Sequence, residues 1–338
     1  MGPVGFRRQV LIAGFAALLA AVLALYTAAP SAATYPGGNG RIIFTESNLN
    51  ATASTALWSI NPDGTGLQLV TRVQSAASRA FVTFPSVSAD GSRLAVLLVE
   101  FFDDAVECGP RFPQHVCDSV VVMDIDGSNQ RVILSDWRIA SRAISLSPDG
   151  TQVAVPLTDS GVRPTGAYIN LVDVDTGRIK RVTRAPGTTL SVSDSDPSFA
   201  PDGSAIAFTS NRDSATTGSS WSTFLVPTLG AKKIERLLPD SSGNDLYPDW
   251  GPDGSRLVFV RTFSSPFADA VYTVSRDGTG ERELLRASGT VHSPAFSPDG
   301  TQIAFVHSGQ LRLMSEDGTN QRTLTTGGSF GFTWVPED

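Results

Sequence analysis

Ser297-Pro-Asp-Gly-Thr-Gln-Ile-Ala-Phe305 is the stretch whose reading decides the fold, because the chain writes this unit five times. Its Asp-Gly pairs stand at Asp90, Asp149, Asp202, Asp253 and Asp299, so successive copies lie 59, 53, 51 and 46 residues apart. A period of that size marks a repeat array. In each copy a short apolar run enters a tight Asp-Gly turn and a second run leaves it, which reads as a β-hairpin with glycine at a positive-φ position. A second turn follows in most copies, at Asp63, Asp126, Thr176, Asp277 and Asp317. Four short strands per unit, repeated around an axis, predict an all-β protein built as a β-propeller of four-stranded blades.

The aligned copies carry a physical pattern. The inner strand supplies one bulky residue per unit, Val87, Leu146, Phe199, Trp250, Phe296 and Trp334, preceded by a small or polar one, Ser86, Ser145, Ser198, Asp249, Ala295 and Thr333. The second strand has three successive apolar columns, for instance Ile303, Ala304 and Phe305, as expected of a sheet buried on both faces between neighbouring sheets. The fourth strands mix Arg, Lys, Glu and Gln with apolar residues, which suits an exposed edge guarded by charge. The segment 40–45 reads as a second strand with no inner strand before it, and 330–335 as an inner strand with nothing after it. Together they complete one unit, which predicts six blades and a ring closed by the C-terminal strand entering the first blade.

The run Asp196-Pro-Ser-Phe-Ala-Pro-Asp-Gly-Ser-Ala-Ile-Ala-Phe-Thr-Ser-Asn-Arg-Asp213 resembles the WD-type repeat of the TolB propeller family, as do the copies near Tyr247 and Ser293, and the resemblance extends from about residue 37 to the end. It implies a six-bladed propeller acting as an envelope binding module. TolB proteins carry an α/β domain ahead of the propeller, whereas here a few residues separate the N-terminal segment from the first strand, so the expectation is a propeller alone. The repeats also resemble the propeller half of prolyl oligopeptidases, with no hydrolase domain expected.

Arg7 and Arg8 precede an unbroken apolar stretch over 10–26, and Ser31-Ala32-Ala33 offers small residues for cleavage, so residues 1–33 read as a signal peptide and 34–338 as a single propeller domain. If uncleaved, the stretch would anchor the chain to a membrane; cleaved, the mature chain has no span and is exported to the periplasm or beyond. Cleavage removes two arginines and no acid, moving the net charge from -7 to -9, which argues against nucleic acid as a partner. The two cysteines, Cys108 and Cys117, lie close together in one loop, and in an exported protein they predict a local disulfide.

Strand alternation sorts the loops onto two faces. One face carries short, nearly uniform turns. The other carries the segments 100–119, 158–166, 210–220 and 261–270 with the crossings 135–142, 185–195 and 239–246, and length variation on one face points to the binding face. On that face Thr83, Arg142, Asp194, Asp196, Asp245, Tyr247 and His292 precede the inner strands and ring the channel mouth, with Asp249 one step inside. Clustered aspartates suit a cation or sugar hydroxyls, or else solvate a water-filled channel. Arg212, Asp213 and Asp159 read as loop caps.

Catalytic signals are poor. Gly327-Gly-Ser-Phe-Gly331 matches a nucleophile-elbow string without the helix that must follow it. Three histidines, His115, His292 and His307, cannot assemble a His-rich metal site. The expectation is a monomeric, non-enzymatic binding module without a cofactor, engaging an envelope protein or glycan. The competing class is a lyase or hydrolase acting on a saccharide at the channel mouth.

Overall fold

The computed structural model describes residues 34–47, 55–107, 113–140, 143–159, 166–184, 192–214, 221–229, 233–238, 243–264, 267–325 and 328–337. Every named element is a strand. In chain order these are β1 (Gly38–Ser47), β2 (Ala56–Ile60) and β3 (Gln68–Arg72); then β4 (Arg79–Val87), β5 (Arg93–Glu107), β6 (Pro113–Asp124) and β7 (Arg131–Ser135); then β8 (Ser145–Leu146), β9 (Gln152–Thr158), β10 (Gly166–Asp173) and β11 (Ile179–Arg181). They continue as β12 (Val192–Phe199), β13 (Ala205–Ser210), β14 (Ser222–Pro227) and β15 (Glu235–Arg236); β16 (Asn244–Trp250), β17 (Arg256–Ser264), β18 (Phe267–Ser275) and β19 (Arg282–Ala287); β20 (Val291–Phe296), β21 (Gln302–His307), β22 (Gln310–Ser315) and β23 (Arg322–Thr323); and finally β24 (Gly328–Glu337).

Four sheets are four-stranded and antiparallel. The eight-stranded one holds β8–β11 and β12–β15, joined through a short parallel contact of Gly166 with Val192 and Ala167 with Ser193. The last strand returns to the first: β24 pairs with β1 with Trp334 opposite Ile42 and Phe332 opposite Phe44, so the sheet order is β24-β1-β2-β3. Among the described residues no helix is long and apolar enough to cross a membrane.

The repeat columns explain the packing. Val87, Leu146, Phe199, Trp250, Phe296 and Trp334 are all at most 2% exposed, each filling the space between its own group of strands and a neighbour. The small column ahead of them ties one inner strand to the next. Ser86 Oγ accepts the Leu146 N–H at 2.8 Å, Ser145 Oγ accepts the Phe199 N–H at 3.1 Å, and Ser198 donates to Asp249 Oδ1 at 3.1 Å. Asp249 in turn accepts from the Phe296 N–H. A bulkier side chain at these positions would hold the inner strands apart, which is the physical reason the column is small.

Two of the expected loops are different in kind. Residues 100–119 are largely strand: β5 and β6 run on past the sheet, with Glu100 opposite Cys117 and Phe101 opposite Val116, and pairing resumes at Val106 with Gln114. Residues 261–270 likewise pair down to Ser264 with Phe267. Hairpin pairing extends into both segments, so the described parts continue the strands as ribbons. Cys117 lies buried in β6, whereas Cys108 falls outside the described residues, and with it the expected bridge.

Residues 34–37 cross the sheets on the side of the short turns. Gly37 N–H donates to the Pro298 carbonyl, Tyr35 Oη to the Leu146 carbonyl at 2.5 Å, and Thr34 Oγ1 reaches Asp249 Oδ2 and the Phe296 carbonyl, both at 2.9 Å. Thr34 and Tyr35 are 2% and 1% exposed and pack as core, while Pro36 and Gly37 are exposed.

Candidate functional site

The inner strands share a backbone feature at the expected channel mouth. Phe84, Asp196, Tyr247 and Ser293 all have φ between 53° and 56°, each directly before a proline, and in each case the register with the next strand slips at that point. The following proline bars the right-handed helical alternative, and the bulge turns the side chain away from its strand's regular alternation. Such left-handed non-glycine residues cost free energy that the surrounding packing must offset.

The structure brings Asp196, Tyr247 and His292 into one neighbourhood and adds Asp269. The rings of Tyr247 and His292 lie 6.4 Å apart edge to face, and both Asp196 and Asp269 raise the Tyr247 phenol on top of the dominant effect of its burial. Asp196 accepts from Ser195 Oγ at 3.0 Å, yet burial pushes its carboxyl up to about 6. Burial also raises Asp269, which accepts the Val291 N–H at 2.9 Å. His292 Nδ1 sits 3.1 Å from Ser293 Oγ.

Asp194 and Asp245 are placed otherwise. Both are fully buried and face arginines: Arg212 Nη2 contacts both Asp194 oxygens at 2.7 and 2.8 Å, and Arg261 Nε contacts Asp245 Oδ1 at 2.6 Å. Thr183 and Ser210 hydroxyls also donate to Asp194, and Arg261 extends to Glu281 at 2.7 Å. Each guanidinium lies over two rings, Arg212 on Phe208 and Phe224, Arg261 on Phe259 and Tyr272. Arg212, expected as a loop cap, is instead folded inward as a buried ion-pair partner. Asp249 lies one step deeper, where burial pushes it up to about 8 against the opposing hydrogen bonds from Thr34 and Ser198. Thr83 is buried beside Phe84, and Arg142 falls outside the described residues.

A concave site stands beside this cluster that the sequence reading passed over. A cleft of about 890 Å³ opens between β11 and the β14–β15 pair, lined by Lys180, Arg181, Arg184, Arg212 and Arg236 with one acid, Asp213, over an apolar floor that includes Phe224. Arg181 is anchored by stacking on Tyr168 at 4.4 Å and by pairing with Asp159, which has the same consequence for Asp159 as for Arg212: it is no simple cap. Arg236 donates to Ser222 at 2.9 Å. The basic signal was present in the run from Arg178 to Arg184, but only folding sets it against residues 212 and 236.

No family model matches the chain. Over 39% of its length it is 30% identical to a TolB homolog of Chlorobium luteolum, of which the match covers 27%, and the chain spans about half or less of the curated relatives it matches. It superposes on the crystal structure of TolB from Acinetobacter baumannii with a TM-score of 0.67 at 21% identity, over 88% of this chain and 67% of that one. A putative TolB from Agrobacterium tumefaciens gives 0.60 at 17% identity, over 88% of this chain and 99% of that one. With its repeat, its four-stranded antiparallel groups and these likenesses taken together, the chain has the β-propeller fold of the TolB structures it resembles.

Proposed function

We propose that the four-stranded groups are six blades of a closed ring, that residues 1–33 are removed on export, and that the mature chain is a non-enzymatic binding module of the cell envelope. Its ligand is an anionic glycan or protein segment, held on the side of the long loops. The return of β24 to β1 supports the closed ring, as does the approach of Gly331 to Phe84 of the next group, where an added Cβ would lie 3.2 Å from the Phe84 nitrogen. The observation that carries the ligand class is the cleft: of its five cationic side chains Arg212 is paired with Asp194 and Arg181 with Asp159, which leaves Lys180, Arg184 and Arg236 against the one lining acid, Asp213, in a chain whose net charge is -7. Four of the five are arginines, whose planar fork matches carboxylate or phosphate. The cleft's volume lies in the range of ordinary ligand sites.

The competing reading, a saccharide-acting lyase or hydrolase at the channel mouth, needs a nucleophile beside its base or three ligands around one metal. Among the described residues no three His, Cys, Asp or Glu side chains converge in that way, and Asp194 and Asp245 are occupied by arginines.

The test is titration of the mature chain with a uronate oligosaccharide, with poly-glutamate, and with an uncharged dextran. Binding of one acidic probe that weakens with salt and falls at least tenfold in Lys180→Glu/Arg184→Glu is expected, since both residues are exposed and their loss leaves the core intact. Equal binding of dextran, or an unchanged affinity in the double variant, would sink the reading.

A further inference from the structure

Asp249 is fully buried and Thr34 is 2% exposed, yet the bonds between Asp249 and its surroundings come from neutral donors. These are the hydroxyls of Thr34 and Ser198 and the amides of Trp250 and Phe296. Among the described residues no cationic side chain pairs with it. The charged and titratable groups on the packed elements are committed elsewhere or are of the wrong sign. Asp194 on β12 and Asp245 on β16 are paired with Arg212 and Arg261; Asp196, Tyr247 and Tyr35 carry no positive charge; His292 on β20 faces Ser293 and Tyr247. A carboxylate in this position is expensive to ionise without a counter-ion.

We propose that removal of residues 1–33 supplies that counter-ion: the new α-ammonium of Thr34 pairs with the Asp249 carboxylate and locks the N-terminus into the ring. The inference rests on the export reading above and on the geometry of residue 34. Hydrolysis of the Ala33–Thr34 peptide bond adds water across it, leaving a carboxylate on Ala33 and an amine on Thr34 that takes up the proton. The Thr34 nitrogen is a few covalent bonds from the Oγ1 that already sits 2.9 Å from Asp249 Oδ2. Tyr35, at 1% exposure and bonded to the Leu146 carbonyl, and Gly37, bonded to the Pro298 carbonyl, tether the segment just after Thr34, which keeps the Thr34 nitrogen in the neighbourhood of Asp249. Before cleavage the same nitrogen is a neutral amide. The pair therefore distinguishes the processed from the unprocessed chain, and the ring tightens only after export.

The sign with pH follows. In a chain with a blocked terminus Asp249 stays protonated up to about 8, against about 4 in the unfolded chain, so stability is lost as pH rises through that window. With a free ammonium as partner Asp249 ionises without that loss, and the advantage persists until pH rises through the raised folded pKa of the amine. The gap between the two chains should widen from pH 5 to pH 8 and shrink beyond it.

Three chains test this: one beginning at Thr34 with a free amine, one carrying the extra Ala33, and one beginning at N-acetylated Thr34, each with and without Asp249→Asn. The chain with its amine on Thr34 should melt about 5 °C higher at pH 7.5 than the acetylated chain and the chain whose amine sits one residue further out on Ala33, and the gap should vanish in Asp249→Asn. Should the Asn chains fail to fold, the pH course of the gap between the free and acetylated chains decides alone. Equal melting temperatures, or a gap independent of pH, overturn the pair. Sequencing the N-terminus of the exported protein separates the two readings: a start other than Thr34 overturns the proposal through its processing step, whatever the melting data show.

Discussion

A single aspartate in this protein means different things according to what folding places beside it. Asp194 and Asp245 are fully buried and spent on Arg212 and Arg261, so they hold strand ends together. Asp196, two residues from Asp194, turns on its left-handed backbone into the neighbourhood of Tyr247. Its raised value, about 6, makes a prediction with a definite sign. The native state holds a proton that the unfolded chain releases near 4, so this residue's contribution is present at low pH and lost as pH rises through about 6. Asp196→Asn should therefore remove about 2–3 kcal/mol of the fall in stability between pH 4 and pH 7.5. Urea unfolding of both chains at the two pH values measures it, and parallel pH profiles would show that Asp196 is ionised at no cost.

At the scale of the element, the Asp-Gly turns do more than reverse the chain. Gly318, at φ +90°, lies so close to the preceding group that an added Cβ would stand 2.3 Å from the Leu284 carbonyl oxygen, and at Gly127, at φ +83°, it would stand 2.3 Å from the side chain of Thr71. The turn of one group is seated on the outer strand of the group before it. Glycine is required there twice, for its backbone and for its missing side chain. Gly318→Ala should cost about 1–3 kcal/mol, well above an ordinary surface change, whereas the same change at Gly64, where the nearest atom to a Cβ is 3.8 Å away, should cost less for want of a clash. Thermal unfolding of the two variants compares them directly; equal losses would reduce the effect to backbone conformation.

For the whole molecule the decisive strand is the last one. Trp334 is 2% exposed and packs in one buried cluster with Ile42, Phe44, Ala304 and Leu313, which joins β24 and β1 to the β20–β23 group. A chain end normally tolerates change. This one should not: Trp334→Ala should cost about 3–5 kcal/mol, and a chain lacking residues 328–338 should expose the edge of β1 and self-associate. A truncated chain that stays monomeric with an unaltered melting temperature would show that β24 does not close the ring. The repeat unit, the strand order, the bulky and small columns and the pairing of the terminal strand with the first were all legible in the sequence, because hydrophobic period and turn chemistry act over a few residues and recur with each copy. Of the residues expected at the channel mouth, Asp196, Tyr247 and His292 come into one neighbourhood, because the same bulge before a proline recurs in the inner strands. Which of the expected residues are spent on ion pairs was not legible: Asp194 meets Arg212 across a single hairpin, but only the side-chain directions set by the strand bulge and by packing decide that pairing, and Asp249 meets Thr34 only after segments far apart in the chain have packed. The basic cleft was hidden for the same reason: Arg181 and Arg236 belong to the outer strands of different groups, and only the docking of those groups makes their charges one field.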